Sequence, residues 1–346
     1  MASATRFLLA LATTLLTFHN TSAFSVKRLL EAYFPCAALR ISQPDWTTTY
    51  FEPSLLPSSA QNSTLEELAA LARDRNFSCF EKVPGTNHTL QCSTSGYTLV
   101  PATRPKYAVI FLAGLYRKGF EAAALPIFPL IIQQDPTMFD ELIIHYPLIP
   151  FRTITFSQFT EPPLTIGRAW FDLLPPPRST APEDLLAAQF DRLGLYRAAQ
   201  RIDFITRAQH CLHGIPTDRV ALLGHSLGGF ALLETVMSTD LSPAAAITVS
   251  GILPRVGDYL RPNTLPYNPS RRSYNLTMVH ATEDDVIPFQ FGNASAQILQ
   301  PLFTSLGGGF RFVAPQGFDH FSKIFFQYEG LYPLIAEALR NGFIKN

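Results

Sequence analysis

The 346-residue sequence predicts an α/β protein: a doubly wound, mostly parallel sheet with helices on both faces. Three observations carry that prediction. From Lys106 onward, short apolar runs of strand length alternate with longer segments of helical period. Glycine and proline punctuate the joins between them, as where a helix runs into Gly214-Ile215-Pro216. Apolar residues make up 47% of the chain, enough to fill a sheet buried on both faces.

The elements follow in order. Tyr107–Ala113 (YAVIFLA) is unbroken apolar sequence ending at Gly114, as a central parallel strand should be, and Leu142–Tyr146 is a second strand. Leu195–Leu212 reads as a helix, with Leu195, Ala198, Ala199, Ile202, Ile205 and Ala208 along one face. Val220–Leu223, Ala245–Val249, Tyr274–His280 and Phe310–Ala314 are the third to sixth strands, and a helix over Tyr332–Leu339 closes the domain. No internal repeat is apparent. Upstream the composition changes, with three of the four cysteines, three acceptor triplets and many prolines in residues 24–105. Thr64–Arg73 predicts a short helix capped by Ser63 or Thr64, and His88–Cys92 and Tyr97–Val100 predict strands joined through Gly96. The expected organisation is a leader over 1–23, an N-terminal extension over 24–105 packed on the core, and the main domain over 106–346.

The leader carries an address. Arg6 precedes an apolar run from Phe7 to Phe18, and Thr21-Ser22-Ala23 supplies small residues for cleavage, the layout of a secretory signal peptide. The run is short for a membrane anchor, and no later stretch approaches eighteen apolar residues, so no transmembrane anchor is expected in the mature chain. Asn62, Asn76, Asn87, Asn275 and Asn293 each open an Asn-x-Ser/Thr triplet outside the leader and are candidate glycosylation sites. Both features point to a secreted protein; Phe24, directly after Ala23, also fits a bipartite plastid address. Four cysteines permit bridges in such a compartment, and Cys79 with Cys92 would close a short loop, while Cys211 reads as a buried core thiol. Lysine plus arginine equal aspartate plus glutamate at 27 each, so charge offers no reason to expect nucleic acid as a partner. Neither a Cys-x-x-Cys nor a clustered His/Cys pattern is present, so no metal is expected; nor is a cofactor.

Chemistry is concentrated in Gly224-His225-Ser226-Leu227-Gly228-Gly229. A strand that turns sharply into a helix presents a serine at the tip, and small residues two places either side leave room for that turn. Val220–Leu223 supplies the strand and Phe230–Met237 the helix, so Ser226 is the expected nucleophile of an α/β-hydrolase fold. A serine hydroxyl needs a base, and the base an orienting carboxylate, in the chain order nucleophile, acid, histidine. Only His280 and His320 lie downstream. His280 comes before the acidic cluster and reads as structural; His320 follows the last strand and is the expected base. Among Glu283, Asp284 and Asp285, the Asp-x-x-x-Pro spacing to Pro288 favours Asp284 as the acid, with Asp285 the alternative, and Asp319 reads as a supporting or surface residue. The oxyanion hole should combine the backbone amide of Leu227 with that of Leu115, with Lys118 and Gly119 supporting the loop.

With these residues placed, 106–346 resembles the acyl-protein thioesterase family of phospholipase/carboxylesterase α/β-hydrolases. Phe111-Leu112-Ala113-Gly114-Leu115 is similar to the family's oxyanion strand, and Ala169-Trp170-Phe171-Asp172 to its Trp-Phe-Asp segment. His213 to Val220, Ser250 to Pro254 and His280 to Pro288 resemble further family segments, the last with Asp284 on the catalytic aspartate. Ala113-Gly114-Leu115-Tyr116 departs from the usual His-Gly-Leu-Gly, and Leu227 from the usual glutamine. The resemblance implies hydrolysis of small-molecule or lipid acyl esters or thioesters, or of acylated proteins. The apolar stretch Phe151–Pro182, holding Phe156, Phe159, Trp170, Phe171, Leu173 and Leu174, would shelter an acyl tail, with Trp170 and Phe171 as substrate-binding candidates. Rival readings are a lipase or serine peptidase on the same fold and a non-catalytic binding protein.

Overall fold

An apolar run without polar alternation can be a strand only if both of its faces are covered, and Tyr107–Leu112 meets that condition. The computed structural model describes residues 82, 86–93, 96–115, 131–132, 134–155, 166–172, 190–259, 274–320, 324 and 328–344. In it β3 (Tyr107–Leu112) buries every residue from Ala108 to Leu112. Successive side chains of a strand point to opposite faces, so both faces of the sheet are covered there.

Strand β3 lies between β4 (Leu142–Pro147) and β7 (Val220–His225), parallel to both, with Val109 opposite Ile144 and Ala221. Three more parallel strands extend the sheet: β8 (Ala245–Val249), β9 (Asn275–Val279) and β10 (Phe310–Val313). On the other side β2 (Gly96–Pro101) runs antiparallel to β4, and β1 (His88–Ser93) antiparallel to β2. The order is β1-β2-β4-β3-β7-β8-β9-β10. A separate two-stranded ribbon pairs β5 (Phe151–Thr153) with β6 (Ile166–Arg168).

The first two strands fall inside the segment expected to be an appendage, yet they form one edge of the main sheet. Their alternation of buried and half-buried positions is that of an antiparallel edge with a single covered face, unlike the continuous apolar runs downstream. A boundary drawn at 105/106 from composition therefore cuts the sheet. The expected helix over Thr64–Arg73 lies outside the described residues, as do Asn62 and Asn76.

Six helices are described. α1 (Pro136–Phe139) is capped by Asp135, whose carboxylate accepts from the Met138 N–H. α2 (Arg192–His213) ends at Gly214, which takes the left-handed conformation at φ 73°, the backbone state that glycine adopts without strain. Asp191 caps its start: the carboxylate accepts from Gly194 N–H, from the buried Arg152 guanidinium and from Asp172 N–H, tying helix, ribbon and loop together. α3 (Leu227–Ser238), α4 (Val256–Tyr259), α5 (Phe289–Ser305) and α6 (Leu331–Ile344) complete the set. α5 was not legible in the sequence, since it carries Gly292, Asn293, Ser295 and an internal Pro301, all weak helix formers. It is held by burying Phe291, Ala296, Leu299 and Phe303.

The cysteine reading needs one correction. Cys211 is disulfide-bonded and only half-buried, not a free core thiol. Of the acceptor asparagines, Asn87 donates to the Asp140 carbonyl, Asn275 starts β9 with its side chain against Gly309, and Asn293 is half-buried on α5. Among the described residues no helix is long and apolar enough to cross a membrane, and no three His, Cys, Asp or Glu side chains cluster as metal ligands.

Candidate active site

β7 is buried along its whole length and ends at His225; α3 begins at Leu227. Ser226 joins them at φ 53° and ψ −125°, a conformation that an L-residue with a Cβ holds only under strain. Close packing imposes it. A Cβ on Gly228 would lie 1.9 Å from the Leu112 carbonyl oxygen of β3, so the helix can approach the sheet only with glycine there. Gly228→Ala is therefore expected to lower the unfolding free energy by about 3 kcal/mol or more and to cut soluble yield, as read by thermal melts.

The strained turn brings Ser226 Oγ to 2.9 Å from Nε2 of His320, to which it donates. Nδ1–H of the same ring donates to Asp284, with both carboxylate oxygens at 2.9 Å. This tautomer follows from the network, since a carboxylate facing Nδ1 requires the proton on that nitrogen. Asp284 Oδ1 also accepts from the Val286 and Ile287 N–H groups at 3.0 and 2.7 Å. Burial pushes the Asp284 pKa up, but the hydrogen bond from His320, the electrostatic influence of the two neighbouring imidazoles and the Ile287 amide outweigh it and bring it to about 2.

The neighbouring groups fall into place around this line. His280 donates from Nε2 to the Ile287 carbonyl at 2.9 Å and lies 3.5 Å from Asp284, buried and kept neutral by that burial. Those two contacts place it against the loop that carries Asp284. Asp285, the alternative acid, instead accepts from the His320 backbone N–H at 3.1 Å. Glu283 accepts from Gly317 N–H and Thr282 Oγ. Asp319 is half-exposed.

Leu227 is the first residue of α3, where helix amides have no partner within the helix. The loop after β3 presses on the serine: a Cβ on Gly114 would stand 2.8 Å from Ser226 Cβ and 3.3 Å from its Oγ. Leu115 follows, half-buried; Lys118 and Gly119 lie outside the described residues.

Trp170 and Phe171 depart from expectation. They are 2% and 1% exposed, packed into the core and not open for contact with a substrate. The Trp170 indole N–H donates to the Ala113 carbonyl at 2.9 Å, holding the expected oxyanion loop, and Arg201 caps its ring. Phe171 stacks on Phe230 of α3, centroids 6.0 Å apart. Phe156, Phe159, Leu173 and Leu174 lie outside the described residues.

A parallel sheet with an antiparallel pair at one edge, a serine at the β7–α3 turn, a carboxylate after β9 and a histidine after β10 define an α/β-hydrolase. Residues 162–309 match the phospholipase/carboxylesterase family model. Acyl-protein thioesterase 1 of Debaryomyces hansenii is 24% identical over 215 residues, covering 59% of this chain and 84% of that one. Acyl-protein thioesterase 1 homolog 2 of Dictyostelium discoideum is 31% identical over 107 residues, 30% of this chain and 45% of its own. Among solved structures, Arabidopsis thaliana SOBER1 superposes with TM-score 0.50 at 19% identity, over 68% of this chain and 98% of its own, a likeness of fold. The resemblance to the phospholipase/carboxylesterase family and its acyl-protein thioesterases is borne out, and the chain is a carboxylic ester hydrolase.

Proposed function

We propose that the chain hydrolyses esters or thioesters carrying a medium or long acyl chain, with Ser226 as nucleophile, His320 as base and Asp284 as orienting acid. The observation that carries this reading is the unbroken hydrogen-bonded line from Ser226 Oγ through the His320 ring to Asp284. Ser226 Oγ attacks the acyl carbonyl while its proton passes to His320 Nε2, and Asp284 stabilises the imidazolium that forms. The backbone amides of Leu115 and Leu227 receive the developing oxyanion. His320 then protonates the leaving alcohol or thiol, leaving an acyl-enzyme. Water, giving its proton to the same nitrogen, attacks the acyl carbon; Ser226 leaves with that proton and the free acid is released.

The names of the relatives favour acylated proteins or lipid esters as substrates. The leader-like N-terminus, the acceptor triplets and the bonded Cys211 favour action in the secretory pathway or outside the cell. A fluorophosphonate probe should add one phosphonyl group, located by peptide mass spectrometry on Ser226. A p-nitrophenyl ester series should be turned over best at medium or long chain length, with an aminoacyl amide left intact. Absence of both labelling and ester turnover would reject the proposal, and preferential amide cleavage would make the chain a peptidase.

A further inference from the structure

The proposed base stands in a loop between β10 and α6, outside any described strand or helix that would pair its main chain. Its N–H and C=O still need partners, because buried backbone polar groups are costly when unpaired. Side chains supply them. The His320 N–H donates to Asp285 Oδ1 at 3.1 Å. The His320 carbonyl accepts from His225 Nε2–H at 3.1 Å and, more weakly, from Ser250 Oγ at 3.4 Å.

Two features make this more than routine satisfaction. Asp284 and Asp285 are adjacent, and they grip one histidine at two points: Asp284 takes the ring at Nδ1 and Asp285 the main chain. Two anchors from one loop restrict both translation of the residue and rotation of its ring. On the opposite side, His225 is the last residue of β7, directly before the nucleophile, so its bond ties the base to the strand that presents Ser226. The two imidazoles lie 5.1 Å apart, centroid to centroid, and tilted by 46°. Burial lowers the His225 pKa to about 3, so across ordinary pH the ring stays neutral and does not compete with His320 for a proton.

We propose that Asp285 and His225 are positioning residues that hold the main chain of His320, one at its N–H and the other at its carbonyl, keeping the imidazole aligned between Asp284 and Ser226. Neither touches the reacting atoms. The inference rests on the proposed triad and adds the residues that set its geometry, where displacement by about 1 Å is enough to cost on the order of a hundredfold in rate.

The test compares Asp285→Ala with Asp285→Asn, which keeps a carbonyl acceptor, and His225→Phe with His225→Gln, which keeps a nitrogen donor. With a p-nitrophenyl ester, the Ala and Phe variants should lose on the order of tenfold in kcat with KM little changed, and fluorophosphonate labelling should slow in step. The Asn and Gln variants should regain most of the rate, and the Ala/Phe double variant should lose less than the product of the two single losses. Thermal melts run alongside separate rate from folding. Wild-type kcat in the Ala and Phe variants, losses that Asn and Gln do not repair, or losses that track melting would overturn the proposal. Ser226→Ala is measured in parallel. If it retains turnover, the triad reading falls and this one with it; if it is inactive while the Ala and Phe variants are unimpaired, only the positioning roles fall.

Discussion

Ser226→Ala is expected to reduce kcat/KM for a p-nitrophenyl acyl ester by on the order of 10⁴ to 10⁶, with the melting temperature little changed. The size of the effect follows from the geometry of the line: among the described residues, Ser226 Oγ is the hydroxyl that meets His320 Nε2, at 2.9 Å. What survives is binding and the backbone amides at the oxyanion position, which act without the serine. Folding should be spared because alanine keeps the Cβ and removes only an oxygen. Ser226→Gly distinguishes strain from chemistry. It should be equally inactive, yet melt higher than the alanine variant, because glycine holds φ 53° without the roughly 1–3 kcal/mol that a Cβ costs there. Unchanged turnover in the alanine variant would remove Ser226 from the mechanism.

Asp284→Asn should come second, lowering kcat by about 10⁴. Asparagine is nearly isosteric and its oxygen still accepts from the Val286 and Ile287 amides, so the acid loop keeps its shape. Its amide group, turned toward His320, donates where the carboxylate accepted. The ring must then present a lone pair at Nδ1 and carry its proton on Nε2, where it can no longer take one from Ser226. Stability carries a matching signature. The Asp284 pKa is depressed to about 2, so its charged form stabilises the fold above the usual carboxylate pKa, and that contribution fades as pH falls toward 2. The shift corresponds to about 2 kcal/mol. Wild type should therefore melt above Asp284→Asn at pH 7, and the gap should narrow below pH 4. A pH-independent gap would show that the carboxylate's charge is not what matters.

The strands were legible because burial on both faces leaves a run such as YAVIFLA, which no half-exposed helix would carry. Ser226 was legible as a candidate because a tight turn forces small residues at fixed spacing around one serine, His320 because of chain order, and Asp284 because of chain order and its spacing to Pro288. α5 was not legible, since its stability comes from buried Phe291, Leu299 and Phe303 and not from local propensity. The place of β1 and β2 was hidden for a related reason: pairing of β2 with β4 is decided by residues nearly fifty positions apart, which composition cannot register.

By itself, then, the sequence determined the nature of the sheet and pointed to the three side chains that the structure joins in one hydrogen-bonded line, because spacing, periodicity and chain order are properties of the chain itself. Only the tertiary structure decided how three adjacent acids divide their work. Asp284 meets the ring, Asp285 the main chain of His320 and Glu283 the loop before it, a division that the spacing to Pro288 could only favour and not assign. It also placed Trp170 against the loop after β3, through its bond to Ala113, fifty-seven residues away. Periodicity is a property of neighbours in the chain, whereas the partner of a hydrogen bond is chosen by contacts that exist only once the sheet has closed around them.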